Sequence, residues 1–352
     1  MEKKQETNII KAYKGFDENL KCRGFQYKVG KEYKMNGKVS CCRNGFHACQ
    51  SPLEVLDYYL LSDDGKMARF CEVEQTGTID EGDNGSTKVA SSKIKINREL
   101  TLSDLIQLGV KWIEENTNKT KDTDLSDNGE WKKKIASSGY GVNIASSGYG
   151  VNIASSGNCV RIVSSGNGVL IGSSGAFAHI GSSGSCAKIA SSGIYAKIGS
   201  ISDSAKICSN GDYTKIASSG EHANIGSSGY GVNIASSGNC AQITSNGDYA
   251  KIASSGDYAQ IGSSGDSAKI GGSCDNAQIV STGEDSVICC AGNNSIAKAK
   301  KGSWITLAEW KKDEKKKRWV PKCVKAEYVD GERIKGDTWY KLINGEFTEV
   351  KV

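Results

Sequence analysis

The sequence predicts a mainly β protein: a β-solenoid of nine-residue repeats, flanked by an N-terminal α+β domain and a small C-terminal β unit. Three observations predict it. Isoleucine recurs every ninth residue from Ile135 to Ile288 without insertion or deletion. Around each Ile the chain alternates small apolar, polar, Ile, small, Ser, which is the period-two pattern of a strand with one buried face. The composition, with 42 Gly, 2 Pro and 7% aromatic residues, suits stacked tight turns better than a globular domain or a disordered linker.

The repeat reads I-A/G-S-S-G-x-x-A/V-x. Ala or Val stands two residues before each Ile, as in Val142-Ile144, Ala187-Ile189 and Ala250-Ile252, and Ser two residues after it, as in Ser146, Ser191 and Ser254. The segments Ser-Ser-Gly-Asp-Tyr and Ser-Ser-Gly-Asn-Cys are turn chemistry, in which Gly is expected to supply the positive φ and Asp or Asn the adjoining position. Gly and two Ser in every nine residues exclude a helix, and a nine-residue period would spread Ile around one. One unit cannot bury a face alone, so units must stack. Two units make an 18-residue coil with Ile over Ile, although a three-sided 27-residue coil also fits the spacing. At about 4.8 Å per coil, roughly eight and a half coils form a rod about 40 Å long. Loss of the nine-residue register in the flanks is consistent with caps.

The expected organisation is an N-terminal domain over 1–125, a linker over 126–133, the solenoid over 134–296 and a capping unit over 297–352. In the first, Ala12–Phe16 and Arg69–Glu74 read as strands. Ser51-Pro52 opens a helix through Tyr59 with Ser as its cap. A second helix follows Thr101, with Asp104 completing a capping box and Leu102, Leu105, Ile106, Gly109, Val110 and Ile113 as its apolar stripe. Asn116–Glu130 is polar and of mixed charge. Near the C-terminus Trp304–Ala308 and Cys323–Tyr328 alternate as strands, and Asp330-Gly331 and Asn344-Gly345 are hairpin turns.

Several function classes fall away. A net charge of +5 does not by itself predict a nucleic-acid binder. The start of the chain has no apolar signal region and no run reaches a membrane span, so a cytoplasmic location is expected. The 13 cysteines are then free thiols acting mostly as small buried hydrophobes. The calcium-binding nonapeptide would need Asp where Ala or Val stands here. Thr is too scarce for an ice-binding ladder. A DNA mimic would be acidic, whereas the outward positions carry Lys188, Lys197, Lys206, Lys215, Lys251 and Lys269, offset by acids in the turns. Cys41, Cys42, His47 and Cys49 suggest zinc, but adjacent cysteines do not readily share one ion and no second pair is near, so no metal is expected. No phosphate loop or Ser-His-Asp pattern appears, and no catalytic residue or cofactor is assigned.

Two groups remain as candidate binding residues. Tyr195, Tyr213, Tyr249 and Tyr258 lie in turns and could form an exposed ridge for a partner, or shield the coil corner. Lys311, Lys312, Lys315, Lys316, Lys317 and Arg318, flanked by Trp310 and Trp319, could grip a nucleic-acid backbone, although such runs are commonly solvated loops.

The strings AYKGF, LKCRGFQY, GFHAC, PLEVLDYY and FCEVEQTG, then SSG repeats, then GSWITLAEW and DTWYKLINGEF, resemble an uncharacterised family of phage and prophage proteins. That resemblance implies a mobile-element origin and no established chemistry. A rod without ligands or catalytic groups in such a layout is expected to be a non-enzymatic binding protein that displays its N-terminal domain toward a partner. The expected partner is a host protein or ribonucleoprotein complex, as for an inhibitor of a bacterial defence complex such as an anti-CRISPR. A structural spacer is the bland alternative. The order of Tyr13-Lys14-Gly15, Gly45-Phe46-His47 with the segment to Tyr59, and Glu72 is also similar to ADP-ribosyltransferase folds. That likeness implies NAD as a ligand, with Lys14, His47, Tyr58 and Glu72 at the matching positions. Lys14 stands where His or Arg is expected, and no clear late Glu follows.

Overall fold

The computed structural model describes residues 9–59, 68–81, 87–101, 104, 105, 108, 109, 112, 115, 124–127 and 129–352. The chain divides into two compact units, 1–118 and 119–352.

The first unit is a β domain. Its strands are β1 (Ile10–Phe16), β2 (Lys21–Cys22), β3 (Phe25–Gln26), β4 (Glu32–Lys34), β5 (Phe46–Cys49), β6 (Arg69–Asp80) and β7 (Lys88–Leu100). The sheet order is β4-β7-β5-β1-β6, and β7 is long enough to pair β5 with its first half and β6 along most of its length. The sheet therefore closes on itself around Ala12, Phe16, Val73, Val89, Ile94 and Ile96, all fully buried.

The helix expected from Ser51 is a 3-10 turn, Leu53–Asp57, and Ser51 does not cap it. The competing bonds are visible. Ser51 N–H donates to Thr87 Oγ1 at 2.9 Å, and the Glu54 carboxylate accepts from Thr87 N–H at 3.0 Å. The segment is thus tied to the start of β7 before a full helical turn can form. The capping box after Thr101 is present: Asp104 N–H donates to Thr101 Oγ1 at 3.1 Å, and Thr101 N–H donates to the Asp104 carboxylate at 3.0 Å. Asp104, Leu105, Leu108, Gly109, Trp112 and Glu115 are helical. Gly109 sits so close to Leu53 that a Cβ would lie 2.3 Å from it. Leu102, Ile106, Val110 and Ile113 of the expected stripe lie outside the described residues.

The second unit is the solenoid with its cap. Strands of four residues run from β9 (Lys134–Ser137) to β27 (Ile296–Ala299) and alternate between two parallel sheets. Each strand pairs with the one 18 residues away, Ile on Ile, as in Ile216↔Ile234 and Ile225↔Ile243. The coil therefore has two strands and 18 residues. Ile and the preceding Ala or Val are buried, as is the Ser two residues after Ile.

The rod is longer at both ends than the Ile count predicts. β8 (Asp124–Asp127) lies partly in the expected linker and pairs with the strand of Ile144, with Leu125 in the Ile register. At the other end Ala297 takes the Ile place in β27, and the first part of β28 (Trp304–Asp313) adds one more parallel strand through Ile305. Ten residues separate Leu125 from Ile135 and eight separate Ala297 from Ile305, so a strict nine-residue search stops short. About ten coils result, a length of about 48 Å.

β28 turns back into β29 (Arg318–Tyr328), while β30 (Tyr340–Ile343) and β31 (Glu346–Glu349) extend the other sheet antiparallel. Two hairpins thus cover the growing edges, which would otherwise offer open N–H and C=O groups to another chain. Asn344-Gly345, with φ of 52° and 77°, forms the expected hairpin turn. Asp330-Gly331 does not: its carboxylate accepts from Glu332 and Ile334 N–H, and the loop carries the chain from one sheet to the other.

The repeat glycine does not have the role expected of it. The positive φ falls two residues later, at Cys159, Phe177, Tyr195, Tyr213 and Tyr249, with values from 54° to 61°. The glycine is required because coils approach closely there. A Cβ on Gly238 would lie 1.9 Å from the Gly220 carbonyl oxygen, and the same holds up and down the rod.

Candidate functional site

The turns that carry Asn or Asp are held by a ladder of their own. The Asn or Asp five residues after Ile turns its side chain along the rod and accepts the backbone N–H of the equivalent residue one coil on. Asp212 accepts from Tyr230 at 2.8 Å, Asp248 from Asp266 at 2.9 Å and Asp257 from Asp275 at 2.9 Å. These acids bind backbone rather than simply balancing surface lysines.

The next position is the left-handed one. A non-Gly residue there costs roughly 1–2 kcal/mol, and stacking across coils offsets it. Phe177 and Tyr195 stack at 5.3 Å and Tyr195 and Tyr213 at 5.3 Å, both within about 11° of parallel. Tyr213 meets Tyr230 edge-on at 5.6 Å, and Tyr230 meets Tyr249 at 5.1 Å. Such pairs contribute about 0.5–1.5 kcal/mol each beyond their buried area. The result is a continuous file of five rings along one edge, each between 42% and 53% exposed.

Three of the four expected tyrosines, Tyr195, Tyr213 and Tyr249, belong to this file. Tyr258 does not; its turn follows Ile252, whose strand lies in the other sheet, so it projects from the opposite edge. Phe177 and Tyr230 are members that the tyrosine pattern missed. Phe177 is one ring type away, and Tyr230 sits one residue early, before Gly231.

Two residues beyond each left-handed position the chain enters the sheet that contains Ile162, Ile180, Ile198, Ile216, Ile234, Ile252 and Ile270. Its outward residues form two rows. One is Arg161, His179, Lys197, Lys215, Asn233, Lys251 and Lys269; the other is Val163, Gly181, Gly199, Ala217, Ala235, Ala253 and Gly271. The six outward lysines of the sequence thus separate by face, since Lys188 and Lys206 belong to the opposite sheet. Among the described residues, no ion pair holds Lys197, Lys215, Lys251 or Lys269. A cationic row about 4.8 Å in step runs beside the aromatic file, next to a flat floor of Gly and Ala.

The run from Lys311 to Arg318 forms the tip of the β28–β29 hairpin. Lys311, Lys312, Lys315, Lys316, Lys317 and Arg318 are all exposed, and Asp313 fixes the turn by accepting from Lys315 and Lys316 N–H at 3.0 Å. Trp310 faces away from them and donates its indole N–H to Ala291 O at 2.9 Å, which leaves Trp319 as the exposed ring.

In the first unit a cleft of about 580 Å³ brings together Lys14, His47 and Tyr58, with Arg23, Arg43 and Lys88. Glu72 is not among its lining residues. Its carboxylate contacts Lys11 at 3.2 Å and Arg98 at 3.3 Å instead. Lys14 is buried on β1, and its ammonium donates to the His47 carbonyl oxygen at 2.9 Å and to Cys22 Sγ at 3.4 Å. Burial lowers the Lys14 pKa, partly countered by Cys22. Burial also lowers the His47 pKa, and the charges of Lys88, Lys14 and Arg23 act in the same direction. Cys22 Sγ lies 2.9 Å from Tyr59 Oη. Gly15 permits this approach, since a Cβ there would lie 2.4 Å from Tyr59 Cβ. Neither Cys22 nor Tyr59 is singled out by the sequence, because their contact depends on the path between β1 and the 3-10 turn.

Residues 10–108 match the family model described as Domain of unknown function (DUF7666). The cleft lies entirely within the DUF7666 match, whereas the solenoid lies outside it. No curated protein and no solved structure matches the chain.

The cysteines divide differently from expectation. All are free, but only Cys49, Cys71, Cys208, Cys274 and Cys290 are buried, while Cys42, Cys186 and Cys289 are exposed. Cys159, Cys186 and Cys240 share the left-handed turn position with the rings, and Cys289 lies in an outward row. Among the described residues no cluster of three metal-ligating side chains forms, and no helix is long and apolar enough to cross a membrane.

Proposed function

We propose that the chain acts as a binding protein whose rod edge is the recognition surface for a host protein or ribonucleoprotein complex. The observation that carries this reading is the file of Phe177, Tyr195, Tyr213, Tyr230 and Tyr249 beside the cationic row of Arg161, Lys197, Lys215, Lys251 and Lys269. Exposed aromatic and cationic side chains in one strip are what interfaces and single-stranded nucleic acids both use. The ladder repeats at a fixed step, so the surface is rigid before any partner arrives, which lowers the entropy lost on binding. The resemblance of the sequence to phage and prophage proteins motivates a search for the partner in a bacterial host, such as a defence complex.

The test is affinity capture from host lysate with the full chain and with F177S/Y195S/Y213S/Y249S. A complex retained by the first and lost by the second supports the reading. Equal retention by both overturns it. A K311Q/K312Q/K315Q/K316Q variant of the hairpin tip is expected to retain the complex.

A further inference from the structure

The cleft in the first unit combines cationic walls, aromatic rings and a buried ammonium whose partners are all formally neutral. Among the described residues its lining includes Lys14, Arg23, Arg43, Lys88 and His47 but no Asp or Glu. We propose that it binds a small phosphorylated ligand carrying a planar ring, of the nucleoside monophosphate class. This site is separate from the rod edge and does not rest on the binding role assigned to it.

The argument starts from Lys14. A buried ammonium normally has a carboxylate partner, because losing its hydration is expensive. Here its two acceptors, a carbonyl oxygen and a thiol sulfur, are both formally neutral. An anion entering the cleft would supply the missing charge. His47 Nε2 is likewise buried and has no hydrogen-bond partner. Both residues line the same space, and a phosphate monoester, which brings negative charge together with an exchangeable O–H, can answer the ammonium and the imidazole nitrogen alike.

Two further features choose the ligand class. Arg23 and Arg43 line the same cleft, and guanidinium forks match phosphate oxygens in pairs. Phe25 and Tyr58 also line it and are 47% and 49% exposed, with Lys88 Nζ 4.4 Å from the Tyr58 ring centre. A planar ring can stack on these faces while its phosphate reaches inward. At about 580 Å³ the cleft falls within the usual range of small-molecule sites, about 300–1,000 Å³.

Isothermal titration of the full chain with AMP, phenyl phosphate, inorganic phosphate and adenosine tests the assignment. AMP and phenyl phosphate are expected to saturate with Kd on the order of 0.1 mM, and phosphate and adenosine to bind at least about tenfold more weakly. K14M should weaken AMP about tenfold or more. Lys and Met are similar in volume, and removing a buried charge is commonly tolerated, so this variant should fold. R23Q/R43Q alters accessible side chains and should weaken AMP by a similar factor, while F177S/Y195S/Y213S/Y249S should bind AMP as the parent does. Absence of saturable heat with both AMP and phenyl phosphate overturns the proposal. So does unchanged AMP affinity in both K14M and R23Q/R43Q, or phosphate binding as tightly as AMP.

Discussion

Replacing Gly238 by Ala is expected to damage the rod more than replacing Gly199, although both lie in the same repeat array. Gly238 does not have a positive φ, so Ala can adopt its backbone conformation, and the effect is steric. Its Cβ would lie 1.9 Å from Gly220 O and 2.5 Å from Gly220 C, so the two coils must part by about 1 Å to reach even a tight contact. The bonds on either side bridge the same coils: Ser237 N–H to Ser218 O at 2.9 Å, and His222 N–H to Asn239 O at 2.9 Å. A shift of that size takes both beyond the range of a useful hydrogen bond, about 3.2 Å. Two lost bonds and the groups left unpaired amount to about 3–5 kcal/mol. Gly199 has nothing within 4 Å of its Cβ position, so G199A should stabilise by about 0.4–1 kcal/mol through the unfolded chain. Urea unfolding followed by far-UV circular dichroism, with hydrogen exchange at the Ser237 and His222 amides, reads both effects. If G238A unfolds at the same urea concentration as G199A, the close coil approach is not what demands glycine.

Three further outcomes follow from the interior and the turns. Ser227 is fully buried and its hydroxyl lacks a partner, so S227A should be neutral or stabilising by up to about 1 kcal/mol in the same unfolding assay. D248A should lose about 1 kcal/mol by removing the acceptor for Asp266 N–H, and D248N, which keeps an acceptor oxygen, should recover most of it. Burial pushes the Cys208 and Cys290 thiols up to about 12 from an ordinary value near 9. Above pH 9 the unfolded thiols lose protons that the folded ones keep, so their contribution is complete below pH 9 and is lost as pH rises toward 12. The urea midpoint should therefore fall from pH 9 to 11, and less steeply in C208A/C290A.

The rod was legible because one residue, Ile, occupies one structural position at every step, and each step obeys the same alternation. Legibility failed where position and residue type separate. Leu125, Ala297 and Ile305 continue the Ile register with other residues or with altered spacing, so the ends read as linker and cap. The repeat glycine is recognisable, but a pattern of residues cannot distinguish a demand for positive φ from a demand for absent volume. Only the approach of Gly220 O to Gly238 does so. The aromatic file was partly legible, and excluding Tyr258 from it required knowing which strands share an edge. In the first unit Lys14, His47 and Tyr58 were named from their order along the chain. The cleft also depends on Arg23, Arg43 and Lys88, which the folding of β5 and β7 against β1 brings near. The helix expected from Ser51 was lost to Thr87, a residue with no local signature.

The most direct measurement of the recognition surface places a photo-crosslinking amino acid at position 213, in the aromatic file, and separately at position 260, on the opposite sheet. After irradiation in host lysate, covalent adducts are expected from position 213 and not from position 260. Adducts from position 260 alone, or equal adducts from both, would contradict recognition through the aromatic edge.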